Sequence, residues 1–493
     1  MVNLDRIRLD VENFSSEMNL EYFLTHAGFK EESNISAIYE KYAHLFDKKL
    51  IVTLAGMRKQ ARDEDERKLR YLQAFSLEYY LGMVVKELTD KAETMQTKGT
   101  VKVDGEKLAF HLAQIRMINE PNRQKREKLY QARNKCIDKI NGPLLERMQK
   151  LHGAARDFGY KDYMALFMDA KEIDFPSLAK TMQDFISQTE SIYTQRMNEE
   201  LREKVGVGIK EAEKHDVSFF FRAKEFDTYF KKQSMIPALK KTLANMGIKL
   251  AKQKNVTLDL EERPKKNPRA FCTPIKIPED VRLVMMPHGG HDDYATLLHE
   301  TGHVEHFAYV NPKLPIEYKW LGDNSVTESF AFLLEYLLTD ENWLEQHIKI
   351  DKTEQYLNFV FLYKLFFLRA YGAKISYEIK LHTDHLDGMD EIYKTVHEKV
   401  LKYKHPTTHY LITVDDAFYS AQYLQAWIFE AQLKNFLVRE YGEEWFNNVK
   451  AGNYLTNLWS YGQKYNVVEL AKILGYSGLD VKPLTTSIMK HLR

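Results

Sequence analysis

Through most of the chain apolar residues recur every three to four positions, the period that lines one face of an α-helix. This pattern predicts long amphipathic helices from Leu54 to Leu88, Gln124 to Phe158, Pro176 to Lys204 and Thr353 to Leu381. The fold class it implies is all-α, or predominantly so. One stretch breaks the period. Pro264, Pro268, Pro274, Pro278 and Pro287, five of 13 prolines, fall within 24 residues, and between them Val281-Arg282-Leu283-Val284-Met285-Met286 has strand character. A small β ribbon is expected there, directly before another helix. Its exposed edge either accepts a peptide backbone as an added strand or simply braces that helix.

The helix after the ribbon carries the chemistry. Asp292 and Asp293 are N-cap residues, Tyr294, Leu297, Leu298, Val304 and Phe307 stand at helical spacing, and Asn311-Pro312 ends the run. Within it His299-Glu300-Thr301-Gly302-His303 spells H-E-x-x-H. Two histidines four apart share a helical face, so both imidazoles reach one ion at about 2.0–2.1 Å. Glu300 projects beside them, where it serves as general base toward a water. A catalytic zinc takes three protein ligands and keeps one position open. Glu328, 25 residues after His303, is the candidate third ligand. Ser325-Val326-Thr327-Glu328 also has the form of a capping box opening a helix from Val326 to Leu338, so Glu328 is read either as a ligand or as a cap. Glu335 lies on the same face seven residues on, to orient a zinc-bound histidine or to pair with a Lys or Arg. His306 does not make a metzincin site, because that pattern needs glycine at this position and its third histidine where Tyr309 stands. His288 and His291, in a turn-like Pro-His-Gly-Gly-His segment, either line the cleft or are solvated loop histidines.

A second constellation lies toward the C-terminus. Lys404-His405-Pro406-Thr407-Thr408-His409 is loop-like, after which Asp415 and Asp416 are expected to cap a helix carrying Tyr419, Tyr423, Trp427 and Glu430 on one stripe. Such a stripe is core packing, or a set of donors for the oxyanion of a tetrahedral intermediate.

Composition narrows the field. A hydrophobic content of 44% in 493 residues supports a large core. Lysine plus arginine (71) nearly equals aspartate plus glutamate (70), so neither nucleic acid nor a membrane surface is expected as a partner. No apolar segment near Met1 resembles a secretory signal, and the longest apolar run, around Phe359 to Ala370, contains Lys364 and Arg369 and falls short of a membrane span. Cys136 and Cys272, far apart in sequence, suit a reducing compartment, and a cytoplasmic location is expected. The oligomeric state is not legible.

Together His299 to His303, the glutamate in Thr327-Glu328-Ser329-Phe330, Glu335 and the Tyr-rich helix resemble the helical gluzincin zinc metallopeptidases, in spacing the thimet oligopeptidase and oligoendopeptidase F family. Phe271-Cys272 through Asp280-Val281-Arg282-Leu283, the run Asp293 to His299, and His409 ten residues before Tyr419 are similar to the angiotensin-converting enzyme family. The resemblance covers roughly residues 265–435. It implies a clam-shaped helical molecule whose two halves enclose a deep channel, with one zinc ion on its floor and short unfolded peptides as substrates. His299, His303 and Glu328 would be the metal ligands, Glu300 the catalytic base, and His409 with Tyr419 or Tyr423 the oxyanion donors. The expected organisation is a single peptidase unit over 1–493, with a helical wall and lid over 1–260, the catalytic core over 261–440 and a C-terminal helical segment over 441–493. The chain is shorter than typical members, and Thr327 stands where Taq-type carboxypeptidases have a histidine. The expected activity is that of an oligopeptidase. The alternatives are a carboxypeptidase or peptidyl-dipeptidase acting at peptide C-termini, and a non-catalytic helical peptide-binding protein.

Overall fold

Helix Arg123–Asp157 follows the predicted period almost residue for residue, starting where the Asn122 side chain accepts the Lys125 N–H. Thr353–Thr383 likewise forms one long helix. The computed structural model describes residues 3–383 and 385–493. With 70% helix and 5% strand the protein is predominantly helical, as the pattern predicts.

Two of the expected helices are each divided. The segment predicted from Leu54 to Leu88 is Lys48–Arg58 followed by Asp63–Thr97, with Asp63 in a left-handed conformation (φ 51°) at the junction. The segment from Pro176 to Lys204 is Phe175–Gln188 and Glu190–Lys204, parted at Thr189. There the buried Arg369 guanidinium donates to the Ile186 carbonyl at 2.7 Å and to Thr189 Oγ1 at 3.0 Å. A distant arginine thus satisfies the carbonyl that ends the first helix, which no local pattern announces.

The chain folds as two compact units, each assembled from separate stretches. The first comprises the chain up to Leu77 with Glu225–Leu357 and Gln425–Leu484; the second comprises Glu78–Lys224, Asn358–Leu424 and Thr485–Arg493. Among the described residues strand is confined to a hairpin in the second unit, β1 (Thr100–Val103) and β2 (Glu106–Ala109), and a sheet in the first, β3 (Val256–Asp259), β4 (Phe271–Lys276) and β5 (Asp280–Val284). The hairpin turns on Asp104-Gly105, both at positive φ (46° and 85°), the pair that a tight two-residue turn requires. Among the described residues no helix is long and apolar enough to cross a membrane.

In the sheet β5 lies in the middle, parallel to β3 and antiparallel to β4. The ribbon expected among the prolines is therefore present, and its strand-like run at Val281 to Met286 supplies β5, which is paired on both sides. The sheet's edges are β3 and, within the proline-rich ribbon, β4. Pro274 is tolerated there because the ladder needs no N–H on its open side, and its carbonyl accepts the Asn19 side-chain amide at 2.8 Å. Helix Leu4–His26 packs over β4, while helix His291–Tyr309 packs on β4, β5 and helix Asn324–Glu335. Val281, Leu283, Val284, Leu297, Leu298, Val304 and Phe330 fill the space between them.

Candidate metal centre

Helix His291–Tyr309 has Gly290 as its N-cap, before the Asp292 or Asp293 that the pattern offers. Asp293 instead reaches back to accept the N–H groups of His288 (2.5 Å) and Gly289 (2.8 Å). The turn it secures requires glycine at 289, where φ is +91° and an added Cβ would lie 2.9 Å from the Lys232 nitrogen. His288 is exposed on this turn, and His291 stands edge-on to Phe230 and Tyr356. Neither joins the metal-ligand group.

Helix Asn324–Glu335 is capped by Asp323, whose carboxylate accepts the Ser325 N–H at 2.9 Å. Ser325 is consequently inside the helix and the capping box read at Ser325 to Glu328 does not form. After Glu335 the helix tightens into a 3₁₀ turn, Tyr336–Thr339, where the pattern expects it to continue to Leu338. Glu328 projects from the helix interior, 4% exposed, toward the H-E-x-x-H motif. Its Oε2 lies 3.5 Å from His299 Nε2 and 3.7 Å from His303 Nε2.

The close approach of the two helices depends on Gly302. A Cβ there would come within 2.4 Å of Ala331 Cα and 2.5 Å of the Phe330 carbonyl. Glycine at this variable position of the motif lets the backbones meet, and that contact sets how far Glu328 stands from the imidazoles.

The outer ring nitrogens are also fixed. His299 Nδ1 is 2.8 Å from Glu335 Oε2, and His303 Nδ1 is 2.8 Å from Thr327 Oγ1. With both Nδ1 atoms engaged outward, the two Nε2 atoms are turned in toward Glu328, and with hydrogen on Nδ1 alone each ring would offer its Nε2 lone pair to an ion. The three ligand atoms lie within 4.8 Å of one another. Two imidazole nitrogens, each ring steadied from behind, and one carboxylate oxygen are a donor set that fits zinc.

Electrostatics follow from burial and the acids. Burial pulls the His299 pKa down, but hydrogen bonds to Glu328 and Glu335 outweigh it and hold the pKa well above its ordinary value. His303, where burial dominates, is lowered to about 4. Burial pushes Glu300 up to about 7, against the opposing effects of His299 and of the Cys272 N–H, which donates to Glu300 Oε2 at 2.7 Å. His306 is fully buried, with Nε2 3.2 Å from the Gly462 carbonyl and its ring against Phe307 and Phe330, so it belongs to the core.

His409, Tyr419 and Tyr423 lie in the second unit. His409 is 3% exposed, with Nδ1 3.0 Å from Lys214 Nζ and Nε2 2.9 Å from Asn134 Oδ1, so both ring nitrogens are bonded within that unit. Tyr419 and Tyr423 are half-buried and edge-on to each other at 5.0 Å. Farther along their stripe Trp427 and Glu430 are buried. The helix bearing them starts at Tyr419, after Ala417 and Phe418 in left-handed conformations (φ 55° and 54°). Asp415 and Asp416 do not cap it; they pair with Lys374 (2.7 Å) and Arg147 (2.8 Å).

Two contributors escape a motif reading. Thr327 is visible only as the neighbour of a ligand, and the Cys272 contribution comes from its main chain, which carries no sequence signal. The sequence matches no protein-family model, and the comparison with curated proteins found no match.

Proposed function

We propose that the protein is a zinc-dependent metallopeptidase hydrolysing peptide bonds in short unfolded peptides. The observation that carries this reading is the convergence of His299 Nε2, His303 Nε2 and the Glu328 carboxylate within 4.8 Å, with Glu300 beside them. Those three side chains would hold the ion. When bound, zinc supplies Lewis acidity, which polarises a carbonyl and makes water acidic near neutral pH. Glu300, steadied by the Cys272 N–H, accepts the water proton and passes it to the departing amine. Its carboxyl, raised to about 7 by burial, is matched to giving and taking a proton at neutral pH. Glu335 and Thr327 keep the imidazoles aimed.

The resemblance to helical gluzincins adds Tyr419 or Tyr423 as donor to the developing oxyanion, a role worth about 3–4 kcal/mol for one well-placed donor. His409 enters less readily, because Asn134 and Lys214 already take its two nitrogens. The same resemblance supplies the clam-shaped enclosure with a deep channel, which admits short unfolded peptides and excludes folded proteins.

Metal analysis with a quenched fluorescent peptide tests the proposal. Wild type should bind one zinc and cleave the peptide. Glu300→Gln should keep zinc and lose turnover by about 10²–10⁴-fold, whereas His303→Ala should lose the metal. A fully active Glu300→Gln protein, or a wild type that binds no zinc, would sink the reading.

A further inference from the structure

Helix Leu4–His26 ends against β4, and its last turns carry an aromatic cluster that faces the same edge as the general base. Tyr22 is 38% exposed, although Phe14 and Phe23 on the same helix are buried. Its ring is held from two directions. His26 stacks on it at 3.9 Å, and Phe271, the first residue of β4, meets it edge-on at 5.2 Å. The His26 imidazole is itself fixed, with Nδ1 3.1 Å from the Tyr22 carbonyl. The next residue along β4 is Cys272, whose N–H holds Glu300. One strand residue therefore separates the aromatic cluster from the proposed proton carrier.

We propose that Tyr22, supported by Phe271 and His26, is a side-chain subsite that selects peptides with an aromatic residue close to the scissile bond. The proposal rests on the peptidase reading and names the substrate class for that site. A preorganised ring with more than a third of its surface open gains most from another ring, by offset or edge contact and by excluding water. The flanking groups are of opposite type, Glu300 on one side and Arg269, exposed two residues before Phe271, on the other, so they give no net preference for an acidic or a basic side chain and leave the ring contact to decide. Both charges reach Tyr22: after burial, which raises its phenol pKa most, Glu300 pushes it up and Arg269 pulls it down. Conventional motif reading passes over Tyr22, which lies 277 positions before His299 and matters only through the contact of its helix with β4.

Peptides in which a single Phe is moved through a Ser/Ala background, digested by the zinc-loaded protein and analysed by mass spectrometry, test this. At one register kcat/KM should exceed that of the Ala peptide by about tenfold, the scale of an aromatic pair. Tyr22→Ala should collapse that ratio toward one, and Tyr22→Phe, which keeps the ring, should restore it. Calorimetric binding of the same Phe peptide to Glu300→Gln protein gives a readout without turnover, and adding Tyr22→Ala should weaken it by about tenfold. An equal Phe/Ala ratio in wild type and Tyr22→Ala, or a higher rate with Lys than with Phe at that register, would overturn the subsite alone. No cleavage of any peptide by the zinc-loaded wild type would instead overturn the peptidase reading.

Discussion

At the residue scale, the spacing of His299 and His303 on one helical turn and the later position of Glu328 were readable because the ligands are side chains on strongly periodic helices. What holds them was not, since Thr327 and Glu335 act on the far nitrogens of rings whose orientation a one-dimensional pattern does not contain. Their hydrogen bonds, both 2.8 Å, make a ranked prediction possible. Glu335→Ala removes a charge-assisted partner of His299 and should weaken zinc binding by about 10–100-fold. Thr327→Val leaves the His303 Nδ1–H without its acceptor and should weaken zinc in the same direction but less, since a neutral hydroxyl is the weaker partner. Competition against a chelator of known affinity measures both. Unchanged affinity in Glu335→Ala would show that the carboxylate does not orient the ring.

At the element scale, the meeting of two helices is decided by a residue with no side chain. Alanine normally improves a helix over glycine by about 1 kcal/mol. At Gly302 that gain is overridden, because the added carbon meets Ala331 Cα at 2.4 Å and backbone cannot swing aside. Gly302→Ala should destabilise by about 1–3 kcal/mol and also weaken zinc, because it pushes the helix bearing Glu328 away. Gly153, inside helix Arg123–Asp157, is the contrast, since a Cβ added there would meet nothing within 4 Å. Gly153→Ala should stabilise by about 0.5–1 kcal/mol. Urea midpoints compare the two, and a shift of the same sign in both would refute the packing argument. The helices were legible from amphipathic period, yet their ends were not. Asp323 caps where the pattern points to Ser325, and Arg369 ends a helix from 183 residues away at Ile186. Capping depends on which acceptor lies in reach, and sequence alone ranks acceptors without knowing their positions. The middle strand β5 was legible as a run of β-formers, whereas β4, interrupted by Pro274, was not, so the ribbon's edge carried no strand of its own in the pattern.

At the scale of the whole molecule, composition indicated a helical class but not the two units, because each gathers stretches separated by 60 residues or more. Within the stretch Glu78–Lys224 of the second unit, polar contacts far apart in sequence also join helices, and the clearest is at Asp216. It is fully buried, 2.9 Å from Arg123, 3.0 Å from Arg126 and 3.2 Å from His215. Burial alone would raise its pKa, but hydrogen bonds from His215 and Arg123, the His215 charge and the Glu213 N–H together hold it well below the usual carboxylate range. A carboxylate lowered on folding stabilises the protein fully above its unfolded pKa of about 3.9 and loses that contribution as pH falls toward the folded value. Asp216→Asn removes the charge while Arg126, 1% exposed, stays buried, and should cost about 3–5 kcal/mol at pH 6. Hydrogen exchange at pH 6 should then speed up in Arg123–Asp157 and Lys214–Phe221, the helices that the cluster joins. In urea titrations from pH 6 to pH 2 the gap between wild type and variant should narrow, since acid protonates Asp216 in the unfolded wild type first and so draws the equilibrium away from the fold that keeps it ionised. A gap that stays constant or widens toward pH 2 would mean that Asp216 is not ionised in the folded protein.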